Sequence, residues 1–400
     1  MIVVEQGALQ RLAAFVPRPA LVVMDANTEV AAGARVASEL GADVLRLPAD
    51  LHATEDAAAQ VLVQLRARPH AGLVVVGSGT LTDIVRYAAH SAGRDFVSVP
   101  TAASMDGYSS SVAALERDGV KLTLPAGAPA AIFADPRIAA AAPIELTRAG
   151  IGDLLAKTTA RVDWLAAHLL YGEDWRALEP LPELDVAALL AGDLQAITGL
   201  LRALIESGLV IAAVGSSRPA SGCEHQASHF WDLLAGRGLR PRALHGLQVG
   251  YATHFAMRLQ RFAFGGGVAL PRRPEPVAEP LDAAARAWIG EPPPGILAAV
   301  AEKQRLIAAM PASWPDDEAR WAALRARLEP SLQTFDAVAD ALRRAGIPDC
   351  EPGYLGIDAA MLRAGLRYGG RLRSRYTVVD FLEGQGVLEE ALDEALGSGP

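Results

Sequence analysis

Short apolar runs alternate with helical patterns over residues 1–145, and this alternation constrains the fold more than any other feature of the sequence. A strand buried on both faces reads as a continuous apolar run, and such strands separated by helices form a parallel sheet covered on both sides. The pattern therefore predicts an α/β architecture of the nucleotide-binding type. The predicted strands are 20–24, 43–47, 71–76, 95–99 and 131–133, and the predicted helices are 28–40 and 54–68.

Strand patterns nearly vanish after Gly150, and helical spacing continues to the end of the chain. We therefore predict two domains, an α/β domain over residues 1–147 and an all-helical domain over residues 148–400. The predicted helices are 151–171, 185–207, 224–235, 245–264, 297–309, 316–345, 357–367 and 378–396.

Charge and cysteine content exclude several classes of protein. The net charge of −9 and the pI of about 5.5 argue against a nucleic acid partner, since phosphate backbones attract clustered Lys and Arg. Cys223 and Cys350 are too few for a disulfide framework, so we expect a cytoplasmic protein. The N-terminus lacks a signal-peptide pattern, and no apolar run approaches the ~20 residues that cross a bilayer, so we expect no membrane span.

A glycine-rich turn follows the predicted strand 71–76. Gly77-Ser78-Gly79-Thr80 joins this strand to a helix that contains Asp83. Glycines let the backbone approach a pyrophosphate, and free N–H groups at the helix start can bind it. An ordinary tight turn explains the same residues equally well. The first strand-to-helix turn, 25–28, lacks the G-x-G-x-x-G fingerprint, so the sequence does not predict a standard dinucleotide fold.

Polar residues also follow two other predicted strands. Asp25 could accept a hydrogen bond from a ribose 2′-hydroxyl and would repel a 2′-phosphate, which favours NAD over NADP. Its alternative role is to cap the helix that follows. In the segment 101–107, the hydroxyls of Thr101 and Ser104 could bond to phosphate or to the nicotinamide amide. Asp106 could accept from a substrate hydroxyl, and the alternative is a polar loop that closes the sheet.

One carboxylate and two imidazoles form a plausible ligand set for a divalent metal. These are Asp153, at a predicted helix start, with His225 and His245. Such ligands suit Zn²⁺, Ni²⁺ or Fe²⁺ and leave coordination positions open for substrate. Asp153 could instead be a helix N-cap. His229 lies one turn after His225 and could line the site, but Gln226 breaks the H-E-x-x-H pattern of metalloproteases.

Basic residues one and two turns after Asp153 could bind a phosphate. Lys157 and Arg161 lie on the same helical face as Asp153. They could equally form a solvated stripe or pair with Asp153 and Asp163. The sequence does not decide between these roles.

Taken together, these segments make the chain resemble the glycerol-1-phosphate dehydrogenases, within the superfamily of iron-type alcohol dehydrogenases, glycerol dehydrogenases and dehydroquinate synthases. The resemblance covers roughly residues 20–260 and 371–385. Its most specific segments are 77–80, 100–107, 152–157, 217–231, 245–246 and 373–377. It implies a dehydroquinate synthase-like fold and a homodimer. Ser78 stands where the family usually has a third glycine, and Cys223 stands where it has a small residue.

The resemblance also implies roles for individual residues. Asp153, His225 and His245 would bind the metal. Gly77, Gly79 and Thr80 would hold pyrophosphate, while Thr101 and Ser104 would touch the cofactor. The full set of candidates is, for the cofactor, Asp25, Gly77, Ser78, Gly79, Thr80, Asp83, Thr101 and Ser104; for the substrate, Asp106, Lys157 and His229; and for catalysis, Asp106, Asp153, His225 and His245.

The expected reaction is the metal-dependent reduction of dihydroxyacetone phosphate to sn-glycerol 1-phosphate by NADH or NADPH. A phosphate pocket formed by Lys157, Arg161 or Arg218 would distinguish this reaction from that of a polyol dehydrogenase. A sugar-phosphate cyclase like dehydroquinate synthase is less favoured, because it needs more Lys and Arg around the substrate. A binding protein without activity is a further alternative, which the three intact ligand positions argue against.

Overall fold

The computed structural model of the chain describes residues 1–69, 71–117, 120–311 and 314–397. The chain divides into two compact units, and the passage between them after Leu154 lies inside one continuous helix. The predicted domain boundary lies earlier, after residue 147, and the prediction assigned residues 182–217 to the helical domain. The first unit comprises Met1–Leu154 and Pro182–Ser217, and the second comprises Leu155–Leu181 and Arg218–Pro400.

A six-stranded parallel sheet forms the centre of the first unit, with the strand order β1-β8-β5-β4-β2-β3. It contains all five predicted strands. The edge strand β1 is an addition that the sequence analysis missed. The strands are β1 (Ile2–Val4), β2 (Ala20–Asp25), β3 (Asp43–Leu47), β4 (Gly72–Gly77), β5 (Val97–Pro100), β6 (Val112–Arg117), β7 (Val120–Pro125) and β8 (Ala131–Ala134).

The sheet has a hydrophobic core on each face because successive side chains of a strand point to opposite sides. Val22 and Met24 of β2 belong to one core, whereas Leu21 and Val23 belong to the other. The continuous apolar run thus reflects burial on both faces. The helices between the strands are α1 (Ala26–Thr28), α2 (Ala34–Leu40), α3 (Glu55–Ala67), α4 (Gly79–Ser91) and α5 (Pro136–Ala140).

Strands β6 and β7 form a separate antiparallel hairpin that the sequence analysis did not predict. Ala113 and Leu115 of β6 are fully buried and belong to the same core as α3 and α4. The hairpin therefore covers part of one face of the sheet.

Every element that the structure describes after β8 is helical, in agreement with the predicted change of architecture at about Gly150. Helices α7 and α8 return to the first unit, where α8 packs on α5 and β1. The remaining helices are α6 (Ile144–Tyr171), α7 (Val186–Leu190), α8 (Leu194–Val214), α9 (Cys223–Gly236), α10 (His245–Gly265), α11 (Ala283–Ile289), α12 (Pro294–Ala308), α13 (Glu318–Leu332), α14 (Phe335–Arg344), α15 (Ala359–Tyr368), α16 (Val378–Gln385) and α17 (Leu388–Leu396).

Some predicted helix limits were wrong. Helix α6 begins at Ile144, so Asp153 lies inside it and is not its N-cap. The predicted helix 378–396 is two helices, because Gly386 adopts a left-handed φ of 76° between them. The predicted helix 316–345 is likewise divided into α13 and α14.

Among the residues that the structure describes, one helix, Leu194–Val214, has the length and hydropathy of a membrane span, although the sequence analysis expected none. Its most apolar window is 44% buried within the protein. A single helix of this kind is weak evidence for a span, because core helices can have the same composition.

Candidate functional site

The carboxyl ends of three neighbouring strands bring most of the predicted cofactor residues to one edge of the sheet. Strand β4 lies between β2 and β5, and these strands end at Gly77, Asp25 and Pro100. The backbone N–H of Thr101 donates to the carbonyl oxygen of Gly77 at 3.3 Å. Ligands of open α/β sheets bind at such an edge. The fold therefore gathers Asp25, the turn 77–80 and Thr101 where a nucleotide is expected.

The glycine-rich turn starts helix α4. Ser78 is the N-cap with a φ of −92°, so a serine fits where the family usually has glycine, and its side chain makes no capping hydrogen bond. A Cβ atom on Gly77 would lie 2.6 Å from Leu81 Cδ1, and one on Gly79 would lie 2.5 Å from Met105 Sδ. A larger residue at either position would therefore force the side chain of Leu81 or of Met105 to move.

Two of the predicted cofactor residues have structural partners. Asp25 accepts a hydrogen bond from the N–H of Thr28 at 2.8 Å, and its own N–H donates to the Thr28 hydroxyl at 3.0 Å. Asp25 therefore caps the helix, which was its alternative role. Asp83 forms an ion pair with the buried guanidinium of Arg86. Burial raises the pKa of Asp83 to about 6, although the charge of Arg86 opposes this. The cofactor roles of both acids stay predictions.

The segment 101–107 connects the predicted cofactor and substrate residues. Thr101 and Ser104 are buried, and the Ser104 hydroxyl lies 3.2 Å from the Tyr108 hydroxyl. The backbone N–H of Asp106 donates to Asp153 Oδ2 at 2.8 Å, and the Ser207 hydroxyl donates to Asp106 Oδ2 at 2.9 Å. These contacts fix the orientation of both carboxylates.

The three predicted metal ligands form a compact group of donor atoms. Asp153, His225 and His245 each offer one atom, and these atoms lie within 4.8 Å of one another. Asp153 and His225 are buried, and His245 is partly buried at the first residue of α10. A carboxylate with two imidazoles is a donor set that suits Zn²⁺, Ni²⁺ or Fe²⁺.

Each of the two imidazoles has a polar neighbour at Nδ1, a feature that the sequence analysis missed. Glu224 Oε1 lies 2.8 Å from His225 Nδ1, and the Ser228 hydroxyl lies 3.3 Å from His245 Nδ1. A carboxylate at Nδ1 selects the tautomer of His225 that presents Nε2 as a ligand. Burial alone would raise the pKa of Glu224, but the hydrogen bonds from His225 and the N–H of Gly222 hold it below its ordinary value. Glu224 therefore faces His225 as a carboxylate.

His229 lies beside the two candidate ligands and is not one of the three grouped donors. Its ring stacks on that of His245, with centroids 5.7 Å apart, and its Nδ1 lies 3.8 Å from Asp232 Oδ2. The predicted position of His229 as a neighbour of the site agrees with this geometry. Its contact with substrate stays a prediction.

The basic residues proposed for a phosphate pocket differ in their surroundings. Lys157 is buried on α6. Arg161 donates to the carbonyl oxygen of Glu179, and Arg218 donates to both carboxylate oxygens of Glu173 at 2.7 Å. These contacts favour a structural role for the two arginines. The expected convergence of Arg161 and Arg218 on a phosphate therefore gains no support.

A second group of potential ligands, Asp163, Cys223 and Glu224, has donor atoms within 4.8 Å of one another. The N–H of Cys223 and the amide of Gln260 donate to Asp163 at 2.8 and 3.0 Å. Burial and the charge of Glu224 raise the pKa of Asp163 to about 6. Burial raises the pKa of the Cys223 thiol well above its ordinary value, so no thiolate forms at neutral pH. The hydrogen bonds of Asp163 link α6 to α9 and α10.

Comparisons with known proteins agree with the predicted family. Residues 3–143 match the family described as iron-containing alcohol dehydrogenase. The glycerol-1-phosphate dehydrogenase (NAD(P)+) of Halalkalibacterium halodurans is 39% identical over 254 residues, covering 58% of this chain and 62% of that protein. The enzyme of the same name from Geobacillus stearothermophilus is 32% identical over 321 residues, covering 78% and 71%. The chain thus spans less than two thirds of the Halalkalibacterium protein.

Crystal structures of more distant proteins share the fold. A probable glycerol dehydrogenase from Sinorhizobium meliloti 1021 matches with a TM-score of 0.62 and 18% identity, over 99% of this chain and 96% of that one. Maleylacetate reductase from Agrobacterium tumefaciens matches with a TM-score of 0.61 and 15% identity, over 99% and 94%. At such identities the likeness concerns the fold alone. It confirms the predicted fold class.

Proposed function

The chain belongs to the family of the glycerol-1-phosphate dehydrogenases, and we propose that it catalyses the metal-dependent reduction of dihydroxyacetone phosphate to sn-glycerol 1-phosphate by NADH or NADPH. The observation that carries this proposal is the group of Asp153, His225 and His245 with a carboxylate behind His225.

The donor set fits a catalytic divalent metal. Asp153, His225 and His245 would hold it, and three protein ligands leave positions for a substrate oxygen. The metal would supply a Lewis acid for the substrate carbonyl. Glu224 keeps the Nδ1 proton of His225 in place, and the N–H of Asp106 orients the Asp153 carboxylate. Zinc, nickel and iron all suit these ligands, so the proposal leaves the identity of the metal open.

The edge of the sheet would hold the nicotinamide cofactor, which supplies the hydride. The N–H groups at the start of α4 would bind the pyrophosphate, next to Gly77 and Thr80. Asp25 uses one carboxylate oxygen in its cap and retains acceptor capacity for a ribose hydroxyl. We propose a preference for NADH on this basis. We also propose that the protein is a cytoplasmic homodimer.

The test is reductase activity with dihydroxyacetone phosphate and with dihydroxyacetone, measured as oxidation of NADH and of NADPH. The protein is first stripped with a chelator, and Zn²⁺, Ni²⁺ or Fe²⁺ is then restored. We expect metal-dependent reduction of dihydroxyacetone phosphate. Chiral analysis of the product should identify sn-glycerol 1-phosphate. Substitution of His245 by Gln should lower kcat/KM at least about a hundredfold, because a ligand is lost.

A matched control is His90→Gln, since His90 is an exposed imidazole at the last turn of α4. This variant should keep the activity and metal content of the parent protein. The proposal fails if the metal-restored protein reduces neither compound, or if His245→Gln retains full activity. A preference for dihydroxyacetone would assign the chain to the polyol dehydrogenases, which are the second candidate. The ion pair of Arg218 with Glu173 favours this candidate, because it occupies a cation that was expected to bind phosphate.

A further inference from the structure

An exposed ion pair lies at the edge of the sheet, next to the expected position of the cofactor. Arg46 Nε donates to Glu29 Oε2 at 2.7 Å, and Arg46 Nη2 donates to Glu29 Oε1. We propose that Glu29 selects NADH over NADPH by occupying the guanidinium that would otherwise bind the 2′-phosphate. The inference rests on the proposed function, in which Asp25 lies beside the ribose that carries this group in NADPH. The sequence analysis gave neither residue of the pair a role.

The register of the sheet places Arg46 beside the end of β2. Strands β2 and β3 are parallel, and Leu47, the residue after Arg46, is paired with Asp25. Neighbouring strands lie about 4.8 Å apart, so Arg46 is on the strand next to Asp25 and one residue before the point opposite it. Ligands of open α/β sheets bind at the carboxyl ends of the strands, where a nearby arginine can accommodate a 2′-phosphate. A 2′-phosphate on a ribose held by Asp25 would therefore lie near Arg46.

Arg46 points to the face of the sheet that the helical segment after β2 covers. Its two neighbours along β3 pack in the core of the opposite face, and successive side chains of a strand alternate. The helical segment after β2 packs in the core of the face to which Arg46 points, and Glu29 lies on this segment one turn after Asp25. The side chain of Arg46 is 55% exposed and that of Glu29 is 29% exposed. A ligand in solvent can thus reach the pair.

The charges around the pair favour a 2′-hydroxyl over a 2′-phosphate. The hydrogen bond from Arg46 lowers the pKa of Glu29, so Glu29 is a carboxylate at neutral pH. Asp25 is a second acid beside the same ribose. A 2′-phosphate must either displace Glu29 from Arg46 or remain near two acidic side chains that repel it. A 2′-hydroxyl carries no charge and meets neither obstacle.

The test measures the binding of NADH and of NADPH to Glu29→Gln by nicotinamide fluorescence, without turnover. Glutamine keeps the length of the side chain and removes its charge, so the guanidinium of Arg46 loses its ion pair. We expect the affinity for NADPH to rise at least about tenfold, because a charge-assisted hydrogen bond to phosphate is gained. The affinity for NADH should stay within about threefold of the parent value.

Two further proteins separate this contact from a general change of charge. Arg46→Gln, added to Glu29→Gln, restores the net charge of the parent protein and should remove the gain in NADPH affinity. The matched control is Glu39→Gln, which removes an exposed carboxylate paired with Arg35 on α2. It makes the same change of charge as Glu29→Gln and should leave the affinity for both cofactors within about threefold of the parent value.

Two nucleotides isolate the 2′-phosphate from the rest of the cofactor. Adenosine 2′,5′-bisphosphate should raise the melting temperature of Glu29→Gln more than that of the parent protein, whereas adenosine 5′-monophosphate should raise both equally. The inference is overturned by an unchanged NADPH affinity of Glu29→Gln, by an equal gain in Glu39→Gln, or by a gain that survives Arg46→Gln. If the parent protein does not reduce dihydroxyacetone phosphate but the 2′-phosphate still distinguishes these variants, the proposed function fails and the inference stands.

Discussion

Replacing Glu224 by Gln should weaken metal binding while preserving the shape of the site. Glu224 is fully buried and accepts three hydrogen bonds, from His225 Nδ1, from the N–H of Gly222 and from the Thr159 hydroxyl. A glutamine can keep the first two at its carbonyl oxygen. Its amide can donate to Thr159, whose hydroxyl then donates to the carbonyl oxygen of Ala156, now 3.0 Å away. Only the negative charge behind His225 is lost.

The size of the effect follows from the position of this charge. Loss of a carboxylate that hydrogen-bonds a ligand imidazole typically weakens metal affinity 10- to 100-fold, or about 1.4 to 2.7 kcal/mol. At a metal concentration of about one hundred times the Kd of the parent protein, binding stabilises the fold by about 2.7 kcal/mol. The same concentration should stabilise Glu224→Gln by only about 0.4 to 1.4 kcal/mol.

The assay is a metal titration in competition with a chromogenic chelator, together with urea unfolding with and without metal. The control is Glu389→Gln, which removes a half-exposed carboxylate paired with Arg363. An affinity for Glu224→Gln within threefold of the parent value, in a protein of unchanged apo stability, would refute the assignment of Glu224 as the group that orients His225.

Two further predictions concern stability. Burial lowers the pKa of His254 to about 4 from 6.5, so the folded state resists a proton that the unfolded chain accepts. The free energy of unfolding should fall by roughly 3 kcal/mol as the pH drops from 6.5 towards 4. The variant His254→Gln can still donate to the carbonyl oxygen of Ile347 and should lose less stability over this range, as measured by urea midpoints. A Cβ atom on Gly150 would lie 1.9 Å from the carbonyl oxygen of Ala103, so Gly150→Ala should lower the free energy of unfolding by about 1–3 kcal/mol in the same assay. A Cβ atom on Gly199, in a helix, would meet open space, so Gly199→Ala should raise the free energy of unfolding by about 0.5–1 kcal/mol. Equal effects of the two alanines would contradict the packing argument.

The sequence predicts the central strands because a strand that is buried on both faces consists of consecutive apolar residues. Strands such as β2 and β4 are continuous apolar runs whose residues are almost all buried. The β6–β7 hairpin was missed although β7 alternates apolar and polar residues and Asp118-Gly119, outside the described residues, is a favoured hairpin turn sequence. β1 has only three residues, too few to produce a recognisable period.

The candidate site is predictable where it depends on residue chemistry and not where it depends on tertiary contact. Side-chain type singles out Asp153, His225 and His245, whose donor atoms the fold groups together. Adjacent residues of a helix do not usually face each other, so the sequence gives no reason to pair Glu224 with His225. The sequence likewise gives no reason to pair Arg218 with Glu173, although the structure shows an ion pair between them.

The hydrogen bonds of Asp163 set an order for the assembly of the second unit. This one carboxylate on α6 accepts from the N–H of Cys223 at the start of α9 and from the N–H of Val378 at the start of α16, across a sequence separation of 215 residues. The bond from Cys223 can form as soon as the helix that carries His225 has been made. The bond from Val378 needs the C-terminal segment, so a ribosome-bound chain that stops short of α16 leaves Oδ1 of Asp163 with the Gln260 amide as its donor.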